Sequence, residues 1–342
     1  MNEPVLSTGE TTVLTQGSAQ PDEQLEDLAL RPRGFAEFIG QEETKRNLDL
    51  VIQAAKERGQ PPEHLLFYGP PGLGKTSLAH VVATELSTNI RITSGPALER
   101  AGDIASILSS LAEGELLFID EIHRLQRPVE EMLYSAMEDF ALDLVLGKGM
   151  AAKTMRLNLP HFTLIGATTR IGQLSAPLRD RFGAHFHLDF YEVADLQRLL
   201  VASASRLGVK LDLGGASVIA TRCRRTPRIA NRLLRRVRDY AQVNRLDHIT
   251  ASVAERALSL LNIDTHGLDK LDRALLRIMV EQFDTGPVGL STLSAALGED
   301  ADTIEDVYEP FLIREGFLMR SPRGRIATPK AVSLILAVGV KS

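Results

Sequence analysis

The chain has 342 residues, which at about 150 residues per domain makes two or three domains and excludes a single small binding module. With 44% hydrophobic and 24% charged residues it is globular in composition, so general disorder is excluded. One cysteine, Cys223, rules out an intrachain disulfide and a thiolate zinc cluster and fits a reducing compartment; with no apolar run of about 20 residues and no secretory leader pattern, a cytoplasmic protein without a membrane span is expected.

The net charge of −5 hides an asymmetry: residues 1–30 hold six acids and no Lys or Arg, so the rest of the chain carries +1. Within that rest, 222–245 hold nine arginines against Asp239, and 311–342 hold six bases against Glu315. Localised positive charge points to anionic partners.

In chain order, residues 1–27 are polar and acidic with no sustained periodicity and read as a disordered tail. From 28 to 191, short apolar runs at His64–Tyr68, Ile90–Thr93, Leu116–Asp120, Phe162–Thr168 and His185–Phe190 alternate with helical patterns over 41–58, 75–87, 97–112 and 128–139. That alternation predicts an α/β domain with a doubly wound parallel sheet. Residues 192–263 read as a small helical domain, with helices over 193–207, 215–224, 227–244 and 250–262. A third unit spans 264–342, where three helices precede a hairpin around Ser321-Pro322-Arg323-Gly324, the layout of a winged helix.

Gly69-Pro70-Pro71-Gly72-Leu73-Gly74-Lys75-Thr76 follows an apolar strand and opens a helix, the context that a phosphate-binding P-loop requires. Its glycines let backbone N–H groups crowd the phosphates, Lys75 reaches the β- and γ-phosphates, and Thr76 offers a Mg²⁺ ligand. Leu116–Glu121 is a buried strand ending in two acids; Asp120 is suited to hold Mg²⁺ through water and Glu121 to activate the attacking water.

With Gly166-Ala167-Thr168-Thr169-Arg170 and Arg179-Asp180-Arg181-Phe182, these motifs resemble the AAA+ ATPases, and with Thr226–Arg238 and the terminal winged helix, more narrowly that superfamily's motors for branch migration of Holliday junctions. The likeness spans about 28–330. It implies ATP and Mg²⁺ as cofactors and a P-loop domain followed by a lid and a DNA-binding head. Carried onto this chain, Thr169 matches sensor 1, Arg181 the finger inserted into a neighbour's site, and Arg228 sensor 2 of the lid. Leu30, Arg31 and Tyr191 match adenosine contacts. Gly72, Gly74, Lys75, Thr76 and Ser77 match phosphate contacts, and Glu138, Asp139 and Phe140 fall where the family contacts nucleotide. Spacing alone does not separate Arg179 from Arg181 as the finger.

Residues 141–160 resemble the hairpin by which such motors dock a junction-binding partner protein. Leu144, Leu146, Met155, Leu157 and Leu159 alternate with polar or small residues across Gly147-Lys148-Gly149, which offers an apolar face either for that partner or for ordinary sheet packing. The arginines of 222–245 fall on several helix faces and read as a mixture of lid, subunit contacts and solvated surface. Arg320, Arg323 and Arg325 surround the wing turn with no acid nearby in sequence; they suit phosphates and match the family's DNA-contacting stretch, while protein contact is the other use of such a wing.

The resemblance thus implies a hexameric, ATP-driven DNA translocase acting on four-way junctions and duplex DNA in recombination and repair, with room for a junction resolvase as a further partner. An origin-binding initiator shares the AAA+ and winged-helix pairing. A protein unfoldase would need an aromatic pore loop, and Ser94–Ile104 has no aromatic residue. A simple DNA-binding regulator would leave Asp120, Glu121 and the finger without purpose.

Overall fold

The inner strands of the central sheet are buried on both faces, as a parallel sheet covered by helices requires, while its two edge strands are partly exposed. The computed structural model describes residues 29–146 and 153–339, so the tail over 1–27 and the Gly147-Lys148-Gly149 turn lie outside the described residues. Strands β1 (Leu65–Tyr68), β2 (Ile90–Ser94), β3 (Leu116–Asp120), β4 (Ala141–Leu146), β5 (Lys153–Asn158), β6 (Thr163–Thr168) and β7 (Ala184–His187) belong to the first part of the chain. The main sheet runs β2-β3-β6-β1-β7 with every pairing parallel, and β4 and β5 form a separate antiparallel hairpin. Leu116, Leu117, Phe118 and Ile119 are completely buried, as are Leu65, Leu66 and Phe67.

Helices α1 (Glu42–Arg58), α2 (Lys75–Leu86), α3 (Ala101–Ser109) and α4 (Arg127–Asp139) cover this sheet. Leu66, Leu117, Ile119 and Leu164 form one core cluster with Ile104 and Leu108 of α3 and Val129 and Leu133 of α4. This order places the carboxyl end of β6 between those of β1 and β3. The three loops leaving these strands therefore meet at one edge, where open α/β sheets bind ligands.

Further elements are α5 (Ala176–Arg179), α6 (Val193–Arg206), α7 (Leu213–Arg222), α8 (Pro227–Val243), α9 (Ala251–Leu260), α10 (Lys270–Glu281) and α11 (Leu290–Leu297). A helix over 301–314 (α12) contains a π-turn at Ile304–Tyr308, and β8 (Leu318–Ser321), β9 (Gly324–Ala327) and α13 (Pro329–Gly339) follow. Val288 makes an isolated antiparallel bridge to Arg325 of the wing, a pairing that sequence alone did not suggest.

The chain forms two compact units. One takes Arg31–Leu199 with Arg225–Arg228; the other includes Leu200–Arg224 and the described chain from Ile229 onward. Residues 193–199 and 227–228 fall in the first, while the second unit holds the winged helix and most of the expected lid helices. Inside it Arg224, a left-handed residue (φ 53°), is buried; it donates to Asp269 at 2.7 Å and to Asp272, and its guanidinium lies 5.3 Å over the Phe311 ring. Burial pushes the Asp272 carboxyl up to about 7 although Arg224 pulls the other way. Arg222 and Arg235 are buried as well, and Arg225, Arg236 and Arg238 pair with Glu192 or Asp239, so the arginine run is divided among buried, ion-paired and exposed positions rather than forming one basic patch.

Candidate active site

Gly69 leaves β1 at φ 141°, and a Cβ there would stand 2.2 Å from the Leu188 carbonyl oxygen, so only glycine lets the loop start against that strand end. Gly74 (φ 99°) then turns the chain into α2, whose first turn carries Lys75, Thr76 and Ser77. The Lys75 ammonium is buried and donates to the carbonyls of Gly69 at 2.7 Å and Pro70 at 2.9 Å. Burial pulls its pKa down to about 8, against the raising fields of Glu121 and Asp120. A desolvated cation at a helix amino terminus, wrapped by glycines, is a cradle for polyphosphate.

Asp120 ends β3, and burial, with the charge of Glu121 beside it, raises its pKa. Glu121 is itself left-handed (φ 46°, ψ 47°), a costly conformation for a residue with a Cβ. The carboxylate accepts a hydrogen bond from the Thr169 hydroxyl at 3.0 Å and lies 3.2 Å from His123 Nδ1. The structure therefore brings Glu121 and Thr169 together directly. The residues present fit a nucleotide triphosphate with a divalent cation: a buried cation for the phosphates, and Thr76 and the desolvated Asp120 as oxygen donors for the metal.

Two further expected residues lie at the same loop. The Arg228 backbone N–H donates to the Gly72 carbonyl at 3.3 Å, and its charge is felt at Lys75 and Asp120. Tyr191 is buried against Gly40 and Gly74, its hydroxyl donates to the Leu73 carbonyl at 3.3 Å, and burial raises its pKa. Arg31 packs on α2 through His80 Nε2 at 2.6 Å. Leu30, in the other unit, is buried there, and its carbonyl accepts from Arg206 at 2.8 Å.

Arg181 stands elsewhere. It precedes β7, and the register Leu65↔Ala184 to Tyr68↔His187 puts it beyond the amino end of the sheet while Gly69 lies beyond the carboxyl end. Four residues of strand separate them, about 13 Å. Glu138, Asp139 and Phe140 close α4 at this far edge too and are not brought to the P-loop. Arg181 donates to Glu138 at 3.0 Å and to the Pro177 carbonyl at 2.6 Å, and its guanidinium lies 4.5 Å over the Tyr134 ring. Among the described residues, the Arg179 guanidinium makes a marginal 4.0 Å contact with Asp180. A cavity of about 540 Å³ opens on this edge, lined by Arg181, Phe140, His64 and His161 among others.

The wing corrects one expectation. No acid is near Arg320 or Arg325 in sequence, but α12 delivers two: Glu309, almost fully buried, accepts from Arg320 Nη2 and from Arg325 Nε, both at 2.6 Å, and Glu305 lies 3.2 Å from Arg320. The three wing arginines therefore differ in setting: Arg325 is largely covered, Arg320 is half-exposed although paired with Glu305 and Glu309, and Arg323 is exposed at the tip. Glu309→Gln should destabilise the protein by about 2–4 kcal/mol, because it removes the buried partner of two guanidinium groups. Arg320→Ala, at a half-exposed group, should cost less than about 1 kcal/mol; equal losses in thermal melts would disprove the asymmetry. On duplex DNA, Arg323→Ala should flatten the slope of log K against log salt by about 0.9, the value for one phosphate contact, on unrelated sequences alike.

Among the described residues no helix is long and apolar enough to cross a membrane. Fold and site together define a P-loop ATPase of the AAA+ class with a winged-helix head. Three family models match in succession: the Holliday junction DNA helicase RuvB P-loop domain over 30–188, the RuvB AAA lid domain over 191–264, and the RuvB C-terminal winged helix domain over 265–336. The chain belongs to the RuvB family. It is 57% identical over 319 residues to the Holliday junction branch migration complex subunit RuvB of Acidothermus cellulolyticus, covering 93% of this chain and 87% of that one. The Dehalococcoides mccartyi RuvB subunit is also 57% identical, over 92% of this chain and 90% of its own. Among solved structures, the Thermotoga maritima RuvB Holliday junction branch migration motor superposes with a TM-score of 0.82 at 50% identity, covering 90% of this chain and 98% of that one. The Aeropyrum pernix ORC2 protein, at 16% identity and a TM-score of 0.54, shares the fold alone, so the initiator reading has no further support.

Proposed function

We propose that this ATPase is the motor subunit that drives branch migration of Holliday junctions, working as a hexameric ring with ATP at subunit interfaces and a RuvA-type partner at the junction. The observation that carries the ring is the position of Arg181, at the sheet edge opposite its own P-loop, where the γ-phosphate it can reach belongs to a neighbour. Glu138, Asp139 and Phe140 share that edge and would meet the same neighbour's nucleotide.

Lys75 and the P-loop N–H groups bind the phosphates, Glu121 takes the proton of the attacking water, and Thr169 orients the Glu121 carboxylate. Mg²⁺, held through Thr76 and through water on Asp120, would supply charge neutralisation on the phosphate oxygens. Arg228, next to Gly72, reads the nucleotide from the lid sequence, and Arg323 touches the DNA backbone.

The β4–β5 hairpin supports a partner surface. Leu142 and Leu157 pair across it and pack into the core, while Met155, two residues further on the same face as Leu157, is 44% exposed. The root of the hairpin is core, and Met155 is exposed apolar surface beyond it. Dissociation of a four-way junction should require ATP and rise with a RuvA-type protein; Met155→Ser should remove that stimulation and leave basal ATPase within about twofold. A chain that binds one duplex sequence and never dissociates junctions refutes this function.

A further inference from the structure

Behind Glu121 stands a side chain with no role so far. His123 lies on the short turn Ile122–Arg124 after β3, with a side chain only 7% exposed. Its Nδ1 is 3.2 Å from Glu121 Oε2 and 2.9 Å from Thr168 Oγ1. Thr168 Oγ1 also accepts the Arg170 N–H at 3.0 Å, and Glu121 Oε2 also accepts the Thr169 hydroxyl at 3.0 Å. One imidazole nitrogen thus stands between the carboxylate at the end of β3 and the hydroxyl at the end of β6. Carrying a proton, Nδ1 donates to Glu121; without one, it accepts from the Thr168 hydroxyl.

We propose that His123 is a positioning residue for hydrolysis: its Nδ1–H, shared between Glu121 Oε2 and the Thr168 hydroxyl oxygen, holds Oε2 together with Thr169, which leaves Oε1 for the water, and ties Glu121 to the end of β6. It touches neither nucleotide nor water and acts through Glu121, so the inference rests on the reading of Glu121 as the base. The geometry selects one nitrogen. Asparagine places an amide atom where Nδ1 stands, whereas glutamine reaches the Nε2 position.

The test is steady-state ATPase of the full chain, with affinity for a non-hydrolysable ATP analogue and thermal melts alongside. His123→Ala should lower kcat by about 10–100-fold, the scale of an orienting partner, with analogue affinity within twofold of the parent. His123→Asn should recover most of the loss and His123→Gln little of it. Added to Glu121→Gln, His123→Ala should cause no further loss. An unchanged kcat in His123→Ala overturns the proposal. So does equal activity of the Asn and Gln variants, a comparison that holds even if the alanine variant fails to fold. Full turnover by Glu121→Gln alone would instead sink the role of Glu121; a dead Glu121→Gln beside an active His123→Gln sinks only that of His123.

Discussion

Glu121→Gln should bind nucleotide as the parent does and hydrolyse it about 10²–10⁴ times more slowly, the range for loss of a general base. The amide keeps the size and the hydrogen bond from Thr169, found at 3.0 Å, but cannot take a proton from water. Lys75→Ala should fail one step earlier. Its ammonium is the buried cation at the floor of the loop, so its removal weakens nucleotide binding itself. Analogue binding and phosphate release measured on both variants separate the two roles, and normal phosphate release by Glu121→Gln would remove Glu121 from the chemistry.

Arg181→Ala should lower turnover by about 10³-fold or more while sparing nucleotide binding, because an arginine finger stabilises charge that develops only in the transition state. The effect is expected between subunits, since strands β1 and β7 hold Arg181 and the P-loop of one chain at opposite sheet edges. Mixed rings of Arg181→Ala and Lys75→Ala subunits should therefore regain activity at interfaces that join an intact P-loop to an intact Arg181. No recovery in rings shown to contain both subunits would assign Arg181 a local role, through Glu138 and Tyr134. Arg179→Ala should be nearly silent, given its marginal ion pair.

The order of elements and the backbone form of the P-loop edge were legible in the sequence because they are local. Alternating apolar runs and helical periods mark a parallel sheet, and the glycine spacing of 69–76 only makes sense where backbone wraps an anion. Asp120 and Glu121 could be read because a strand end and its last residues travel together. The hairpin at 141–160 was legible as alternation, but which of its apolar residues are core was not. That depends on how far the strands project beyond the sheet, which separates buried Leu142 from exposed Met155.

Tertiary structure decided everything that joins residues distant in sequence. The wing arginines looked unopposed because Glu305 and Glu309 lie on a preceding helix, and only packing of α12 under the hairpin ties Arg320 and Arg325 to them. The nine-arginine run was a charge cluster in one dimension; burial of Arg224 against Asp269 and Asp272 makes much of it internal. Strand order β2-β3-β6-β1-β7, which no local pattern encodes, brings Thr168 and Thr169 between the P-loop and Glu121 and places His123 against both neighbours. Composition and periodicity specify which faces must be buried and which loops can hold phosphate. Contacts between segments some fifty residues apart follow from how the faces stack, and the direction of the strands sends Arg181 away from its own nucleotide site.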